Sequence, residues 1–413
     1  MNASPRPSMF AAFAVRNFRF QWGADLLTSW AFEMETIILG WYIFTETGSV
    51  FLLTLFASLQ FFGTLIAPVF GLLGDRAGYR NVLCLMRVVY ALLAGVLAVL
   101  SVLGALSPVV VLVVAGLAGM VRPSDIALRN VLIGEILPHE RLMGAIGLAR
   151  ITTDSARTAG ALVGAGAVHA VGMGSAYGLV VAFYLSSAGL MFGVRLARGA
   201  RLASGTSPWR DMADAARSVR DAPPQLAAML LAFLVNFTAY PFTLGLLPYL
   251  AREIYKTGET GLGYLSASVG LGAMTASLLL SKLGSAVWPA RMMLIFSIVW
   301  HLLVIALGWA PHFTAGSAFL VLNGAASMLC LLPMAVLLLR GAPPALRGRI
   351  MGIRAQAVYG LPLGLLLSGP LIEHVGFRAT ATIYGLLGTV CTLMILMRWR
   401  THLWPAGAAS NRG

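Results

Sequence analysis

Long apolar runs, separated by short polar loops, extend over almost the whole chain. A transmembrane helix needs about 20 apolar residues to cross the ~30 Å hydrocarbon core of a bilayer. On that criterion the sequence predicts twelve transmembrane helices, which we call spans 1 to 12. Their approximate bounds are 18–45, 50–73, 81–105, 108–128, 142–168, 174–195, 223–251, 260–283, 289–310, 314–339, 349–371 and 377–398.

The basic residues in the loops predict how these spans are oriented. If the N-terminus is cytoplasmic, the outer loops contain only Arg252, Lys256 and Arg378 among 29 basic residues. Cytoplasmic loops of membrane proteins carry an excess of Lys and Arg. We therefore expect a multi-pass protein of a bacterial inner membrane with both termini in the cytoplasm. The first apolar run is too long for the core of a signal peptide, so no cleavage is expected.

Composition excludes several classes of protein. The 413 residues are 59% hydrophobic and 11% charged, whereas a soluble domain carries about 25% charged residues. The net charge of +14 is dispersed over short loops and forms no basic face, so a nucleic-acid partner is not expected. The three cysteines are scattered singly, without metal-ligand spacing or a disulfide framework. We expect a monomer without metal or cofactor, whose partners are the lipid bilayer and a small solute.

The longest polar stretch divides the chain near its middle. It predicts an N-terminal six-helix bundle at 1–195, a cytoplasmic linker at 196–222, and a C-terminal six-helix bundle with its tail at 223–413. Apolar residues recur at helical spacing late in the linker. That pattern is consistent with an amphipathic segment at the membrane surface, and equally with a solvated connection between the two bundles.

The two halves repeat one another at a constant offset of 206 residues. The matching landmarks in the polar loops are Arg76 with Lys282, Gly78 with Gly284, Pro138 with Pro344, and Arg141 with Arg347. Agreement at one offset, half the chain length, indicates an internal duplication. Repeated halves build transporters whose substrate site lies near the midplane, at the interface between repeats.

The segment GLLGDRAGYR after span 2 resembles the loop 2–3 motif of the major facilitator superfamily, G-x-x-x-D-R-x-G-R-K/R. Tyr79 stands where that motif has a basic residue. Two longer segments, RPSDIALRNVLIGEILPHERLMGAIGL and LPYLAREIYKTGETGLGYLSASVGLGAM, resemble the branch that contains enterobactin-exporter-like and macrolide-efflux-like proteins. The resemblance implies an all-α membrane protein in which twelve transmembrane helices form two pseudo-symmetric six-helix bundles.

The same resemblance implies a conformational latch in this loop, formed by Gly71, Asp75, Arg76, Gly78 and Arg80. The glycines would allow a tight turn and close helix approach. Asp75 would sit at the positive end of the helix that begins after Arg349. The two arginines would bind neighbouring acids or lipid phosphates. The alternative is a static loop whose charges only orient the protein.

Span 1 carries three acids, Asp25, Glu33 and Glu35. Ionisable groups at membrane depth are costly, and they mark functional sites by default. Counted from the start of the span, Glu33 and Glu35 lie ~24 and ~27 Å along the helix. They point ~160° apart, so both cannot face one cavity. At least one is a candidate proton or cation carrier; the alternative is structural pairing.

Other polar residues within the spans are candidates for coupling or substrate binding. Asp25 and Arg122 lie at comparable depth, which predicts a salt bridge between them. Arg150, Asp154 and Arg157 share one face of span 5. They can neutralise one another in part, which leaves one positive charge for Glu33, for Asp25 or for an anionic substrate; a structural role is the alternative. In the second half, Asn236 and Arg354 are candidates to line a cavity.

These patterns favour a secondary transporter that works by alternating access and expels a small amphiphilic molecule in exchange for protons, an antiporter. The sequence lacks GxxxxGK[ST], so ATP-driven transport within this chain is not expected, and it lacks the hydrolase and metalloprotease motifs of an enzyme. Ala159 and Gly160 replace the Gly-Pro of the superfamily's antiporter motif, which weakens the argument for export. An uptake carrier or uniporter of the same fold, and a non-transporting sensor or scaffold, remain as alternatives.

Overall fold

The computed structural model of the protein describes residues 9–64, 66–195, 216–283, 288–342 and 347–404. Regular structure in these residues is entirely helical. The α-helices are α1 (Arg16–Thr47), α2 (Val50–Leu59), α3 (Ala67–Ala77), α4 (Tyr79–Val102), α5 (Pro108–Ile136), α6 (His139–Ser155), α7 (Ala161–Phe192), α8 (Pro223–Thr238), α9 (Tyr240–Leu244), α10 (Leu247–Tyr249), α11 (Glu259–Leu283), α12 (Pro289–Gly308), α13 (Phe313–Gly341), α14 (Arg347–Gln356), α15 (Gly360–Arg398) and α16 (Arg400–Leu403). Short 3-10 segments lie at Met9–Ala14, Phe62–Thr64 and Ala357–Tyr359, and π-helical segments at Ala156–Gly160 and Leu250–Ile254.

Seven helical stretches of the described residues are long and apolar enough to cross a membrane, or eight with the bent pair Val50–Thr64 and Val69–Ala77. Two of the seven, Glu140–Phe192 and Arg349–Arg398, contain 53 and 50 residues. A straight helix of 50 residues would be ~75 Å long, more than twice the thickness of the hydrocarbon core. Each of these stretches must therefore contain more than one pass.

The first long stretch reverses at Gly172, where the backbone adopts φ 78° and ψ 167°. This left-handed conformation is open to glycine at little cost. The contacts that fix the direction of the chain are Thr152 with Trp22 and Gly164 with Met34 before the break, and Ser187 with Ala24 and Arg195 with Asn17 after it. The chain thus runs parallel to α1 before Gly172 and antiparallel to it afterwards.

The second long stretch reverses at Gly376, which adopts φ 82° and ψ 165°. After this break the helix packs antiparallel to α12, with Ala381 beside Gly308 and Gly388 beside His301. Gly376 follows Gly172 by 204 residues and has nearly the same conformation. The two reversals are therefore equivalent positions of an internal repeat.

Two further passes do not form helices that are both long and apolar enough to be recognised as spans. Helix α1 has 32 residues, but its charged side chains lower its hydropathy. Span 7 is divided into α8, α9, α10 and a π-helical segment, with Pro241 and Pro248 at the starts of α9 and α10; proline favours the first turn of a helix and interrupts its interior. With these two, the bent pair and the two reversals, the described residues contain twelve passes. The predicted twelve-helix, all-α membrane fold is confirmed.

The chain forms two compact units. The first comprises the described residues of Met1–Gly48, Leu59–Ala203 and Thr257–Ala267, and the second those of Ser49–Ser58, Ser204–Lys256 and Ser268–Gly413. The division follows the two sequence halves with two exceptions. The start of α2 belongs to the second unit, and the start of α11 belongs to the first. Most of the predicted linker, residues 196–215, lies outside the described residues, and residues 216–221 are helical.

Each unit contains a very close helix crossing at a glycine. In the first unit, a Cβ atom on Gly119 would lie 1.9 Å from the carbonyl oxygen of Leu59. In the second, a Cβ atom on Gly272 would lie 1.8 Å from the carbonyl oxygen of Val321. Small residues allow membrane helices to approach this closely. Of the landmarks that predicted the repeat, Gly284 and Pro344 lie outside the described residues.

Candidate functional site

Charged side chains within the spans of the first unit form three groups along α1. We call Glu35, Arg122, Gln60, Tyr177 and Tyr184 the Glu35 cluster. Asp25, Arg87, Asp125 and Arg129 form the Asp25 cluster. The third group is the Glu33–Arg157 pair.

In the Glu35 cluster, a buried carboxylate receives three charged or polar donors. Arg122 forms an ion pair with Glu35 through Nη2. The Tyr184 hydroxyl donates to Glu35 Oε2 at 2.9 Å, and the Tyr177 hydroxyl donates to Oε1 at 3.3 Å. Arg122 also donates from Nη1 to Gln60 Oε1 at 2.6 Å. Such bonds compensate the desolvation of a buried charge.

The reversal at Gly172 explains why these residues meet. It turns the second part of α7 back along α1, and Tyr177 and Tyr184 lie seven residues apart on one face of that helix. Both tyrosines are fully buried. Arg122 reaches the same point from α5, with its guanidinium 4.3 Å from the centroid of the Phe32 ring, a favourable cation–π distance.

In the Asp25 cluster, two acids and two arginines neutralise one another. Asp25 pairs with Arg87 and, at 3.5 Å, with Arg129 Nε, which also pairs with Asp125. All four side chains are buried. The cluster has no net charge and is closely packed, as expected of a structural group.

The predicted salt bridge between Asp25 and Arg122 is therefore wrong. Helix α5 runs antiparallel to α1, so Arg129 lies opposite Asp25, and Arg122 lies opposite Glu35. Arg122 precedes Arg129 by seven residues, about two turns or ~10 Å along the helix. Depth estimated on each helix separately was not accurate enough to choose between these partners.

Arg87 was not among the residues predicted to form the site. This residue lies in α4, where the mean hydropathy of 2.4 is the highest among the described spans, and it is completely buried. The rule applied to acids in span 1, that an ionisable group at membrane depth has a partner or a function, would have identified it. Gln60, Tyr177 and Tyr184 carry no comparable signal, because uncharged polar residues are common in membrane helices.

The Glu33–Arg157 pair has a more open setting than the two clusters. Its Nε–Oε1 distance is 3.8 Å, and the side chains are 25% and 24% exposed. Arg157 lies in the π-helical segment at the end of α6, which also contains Gly160. On the same face, Arg150 Nε contacts Asp154 Oδ2 at 3.1 Å; Asp154 is buried and Arg150 is exposed for about half of its side chain. Part of the charge on this face is thus neutralised locally.

The five residues expected to form a latch lie in α3 and the start of α4, with Gly78 between the two helices. Gly78 has φ 96° and joins the two helices. The Tyr79 hydroxyl donates to Asp75, so the residue that departs from the motif contacts its acid. A Cβ atom on Gly71 would meet no heavy atom within 4 Å, so the expectation of close helix approach at Gly71 is wrong. Arg76 is exposed.

Arg80 was expected to bind an acid or a lipid phosphate. Instead it donates to the end of α7, from Nη2 to the Phe192 carbonyl at 3.0 Å and from Nε to the Met191 carbonyl at 3.4 Å. Carbonyls at a helix C-terminus lack intrahelical donors and carry partial negative charge, which favours a cation there. Action of this loop as a latch stays a prediction.

In the second unit, the two candidate cavity residues bind backbone carbonyls. Asn236 is buried and donates from Nδ2 to the Ala232 carbonyl at 2.8 Å, one turn earlier in α8. Arg354 in α14 donates from Nη2 to the Leu331 carbonyl at 3.3 Å. Contact of either residue with a solute stays a prediction.

The profile of a family described as transmembrane secretion effectors, within the major facilitator superfamily, matches residues 7–411. The chain belongs to this family. Its members and structural neighbours are transporters, which identifies the chain as a membrane transport protein of this superfamily.

Solved structures of several transporters share the fold. The human organic anion transporter MFSD10 is 17% identical, with 94% of this chain and 100% of that chain covered and a TM-score of 0.66. The POT family transporter PepTSo is 13% identical, with 94% and 98% covered and a TM-score of 0.75. A D-xylose–proton symporter is 16% identical, with 92% and 97% covered and a TM-score of 0.68. Curated protein sequences give no significant match.

Proposed function

We propose that this transporter expels a small amphiphilic molecule in exchange for protons, by alternating access, as the branch resembling enterobactin exporters and macrolide-efflux proteins would. The observation that carries the proposal is the ion pair between Glu35 and Arg122, surrounded by hydroxyl and amide groups at membrane depth. Secretion is also what the family's description states.

A coupling carboxylate must be tolerated both with and without its proton. When Glu35 is ionised, Arg122 neutralises it. When Glu35 takes up a proton, Arg122 keeps the Gln60 carbonyl oxygen, at 2.6 Å, and the Thr36 hydroxyl, at 3.3 Å, as acceptors. A buried guanidinium left with no acceptor would be strongly destabilising. These neutral acceptors limit that cost and allow the ion pair to break.

The two tyrosines can bind Glu35 both ionised and protonated, because a hydroxyl both donates and accepts hydrogen bonds. They donate to the ionised carboxylate, and either can accept from the protonated one. The Asp25 cluster differs, because each of its acids pairs with arginine and none of its bonds comes from a tyrosine. We assign coupling to Glu35 and a structural role to Asp25.

The proposal is tested with purified protein in liposomes that contain a pH-sensitive dye and an acidic interior. Ethidium, erythromycin and enterobactin are added outside in turn as probes, and substrate-driven loss of protons from the lumen is recorded. We expect at least one probe to release protons with wild-type protein and none with Glu35→Gln. Glu253→Gln, which changes an exposed acid outside the spans, is the control and should behave as wild type.

Retained proton release by Glu35→Gln would overturn the assignment of coupling to Glu35. Direction is tested with vesicles of both orientations, in which an exporter and an uptake carrier accumulate the probe on opposite sides. Flux that is independent of the proton gradient would indicate a uniporter. Absence of flux for all probes, together with absence of a probe-dependent thermal shift, would indicate a sensor or scaffold on this fold.

A further inference from the structure

The Glu33–Arg157 pair differs from the ion pairs of the Glu35 and Asp25 clusters in its exposure. The acids and arginines of the Asp25 cluster are almost completely enclosed by protein, whereas about a quarter of each side chain of Glu33 and Arg157 is exposed. Glu33 lies 17 residues after the start of α1, which is ~26 Å along a helix ~48 Å long. A charged group at this depth does not face lipid, so the exposed part of the pair faces water or a polar ligand.

The contact between the two side chains is loose. Nε of Arg157 lies 3.8 Å from Oε1 of Glu33, beyond the range of a hydrogen bond. The two side chains therefore attract each other through their charges, without a hydrogen bond between these two atoms. A ligand that carries both charges can place its ammonium beside the carboxylate and its carboxylate beside the guanidinium, and it forms two charge-assisted hydrogen bonds there.

The packing of the two helices fixes the position of the Glu33–Arg157 pair. Gly160 brings the helix against α1, and a Cβ atom there would lie 3.1 Å from Glu33 Cβ and 3.3 Å from the Trp30 carbonyl oxygen. Arg157 lies in the π-helical segment Ala156–Gly160, and such segments frequently occur at functional sites. The rings of Trp30 and Phe183 meet edge to face at 6.5 Å, one turn from Glu33 on α1, and supply an apolar surface for the body of a ligand.

Charge balance indicates the class of ligand. The charges that act on Glu33 are Arg157, Arg122 and Asp154. Arg122 is paired with Glu35 and Asp154 with Arg150, which leaves one negative and one positive charge at the pair itself. A cation alone would leave the guanidinium beside a like charge, and an anion alone would do the same to the carboxylate. A zwitterion satisfies both.

We propose that Glu33 and Arg157 form a recognition subsite for a zwitterionic amphiphile, in which Glu33 binds the ammonium group and Arg157 binds the carboxylate. This inference rests on the proposed function only in that the protein binds a small solute. It requires neither proton coupling nor a particular direction of transport.

The test uses three probes with one apolar body. These are 4-phenylphenylalanine, which is zwitterionic, 2-(biphenyl-4-yl)ethylamine, which is cationic, and 3-(biphenyl-4-yl)propionate, which is anionic. Binding to protein in nanodiscs is measured by calorimetry without a proton gradient, with empty nanodiscs subtracted. We expect the zwitterion to bind about tenfold or more tightly than either single-charge probe, because it gains a second charge-assisted bond.

Single substitutions should show which charged group of the probe each side chain binds. Glu33→Gln should weaken binding of the zwitterion and the cation by about tenfold without weakening that of the anion. Arg157→Gln should weaken binding of the zwitterion and the anion without weakening that of the cation. The exposed pair Arg252–Glu253, at 3.9 Å, supplies matched controls, and Arg252→Gln and Glu253→Gln should alter none of the three affinities.

If either single variant fails to fold, the exchanged pair Glu33→Arg with Arg157→Glu keeps the test intact and should still prefer the zwitterion. Equal binding of the three probes, no binding of any, or equal losses for all three in both variants would overturn the subsite. Absence of proton release by the wild-type protein in the liposome experiment, with this binding pattern preserved, would overturn the proton-exchange proposal alone.

Discussion

The Tyr184 hydroxyl donates a 2.9 Å hydrogen bond to Glu35 Oε2, the same carboxylate oxygen that pairs with Arg122. Tyr184 and Glu35 lie 149 residues apart and meet because α7 reverses at Gly172. The hydroxyl and the guanidinium therefore share one oxygen of the acid that we assign to proton coupling. Tyr177 contacts the other oxygen at a longer distance, 3.3 Å.

We expect Tyr184→Phe to impair coupling more than Tyr177→Phe does. A hydrogen bond to a charged group contributes about 1.5–3 kcal/mol, and the shorter of the two should contribute more. Proton release in the liposome assay should fall several-fold in Tyr184→Phe and less in Tyr177→Phe, with the Arg122 pair intact in both. Equal activity of both variants and wild type would mean that the tyrosines only fill space.

The Asp25 cluster should behave as a structural group. Arg87→Met leaves Asp25 with Arg129, which Asp125 shares, and breaking a buried ion pair costs about 3–5 kcal/mol. We expect a marked loss of stability in a denaturant titration of the protein in detergent. Lys256→Gln, which breaks an exposed pair with Glu253, should cost at most about 1 kcal/mol.

Activity distinguishes this role from coupling. Arg87→Met protein that remains folded should keep the wild-type ratio of protons released to substrate moved. A normal stability with a changed ratio would instead place the Asp25 cluster in the coupling pathway.

Hydropathy and loop charges predicted the passes, including the two reversals. The expected gaps at 168–174 and 371–377 contain Gly172 and Gly376. The same pattern did not predict the bend in span 2, because a bent helix remains apolar along its length. The membrane environment constrains which residues are buried more strongly than it constrains the straightness of a helix.

The three acids of span 1 and two of their arginines, Arg122 and Arg157, were predicted as site residues, but their pairing was not. Glu33 and Glu35 were expected to point in different directions, and the structure places them beside Arg157 and Arg122 respectively. Periodicity gives the direction of a side chain around its own helix. It does not give the register of one helix against another, and that register decides that Asp25 meets Arg87 and Arg129 rather than Arg122.

The glycine crossing of α11 and α13 should not tolerate a side chain. At Gly272 even one methyl group would lie 1.8 Å from a backbone oxygen, and overpacking of a close contact typically costs about 1–3 kcal/mol or more. We expect Gly272→Ala to lower the thermal unfolding temperature clearly. At Gly95 in α4 a Cβ atom would meet no heavy atom within 4 Å, so Gly95→Ala should leave that temperature unchanged or raise it. A stable Gly272→Ala protein would show that the crossing is looser than described.

The start of α2 belongs to the second compact unit because it packs on α15. Glu373 Oε1 accepts the Phe51 backbone N–H at 3.1 Å and the Ser49 hydroxyl at 3.4 Å, so an acid of the second sequence half caps a helix of the first. The loop charges predict that this contact lies on the outer side of the membrane. In a transporter that works by alternating access, contacts between the halves on one side must break in each cycle.

A cross-link at this contact should therefore arrest transport. We expect Ser49→Cys with Glu373→Cys, joined by a short bifunctional thiosulfonate, to lose flux in liposomes and to regain it when the link is reduced. Trp309 and Thr382, hydrogen-bonded at 3.2 Å between α12 and α15, supply a control pair within the second half, and linking cysteines there should leave flux unchanged. Undiminished flux with the Ser49–Glu373 link formed would contradict alternating access, because the outer ends of α2 and α15 would then stay together throughout the cycle.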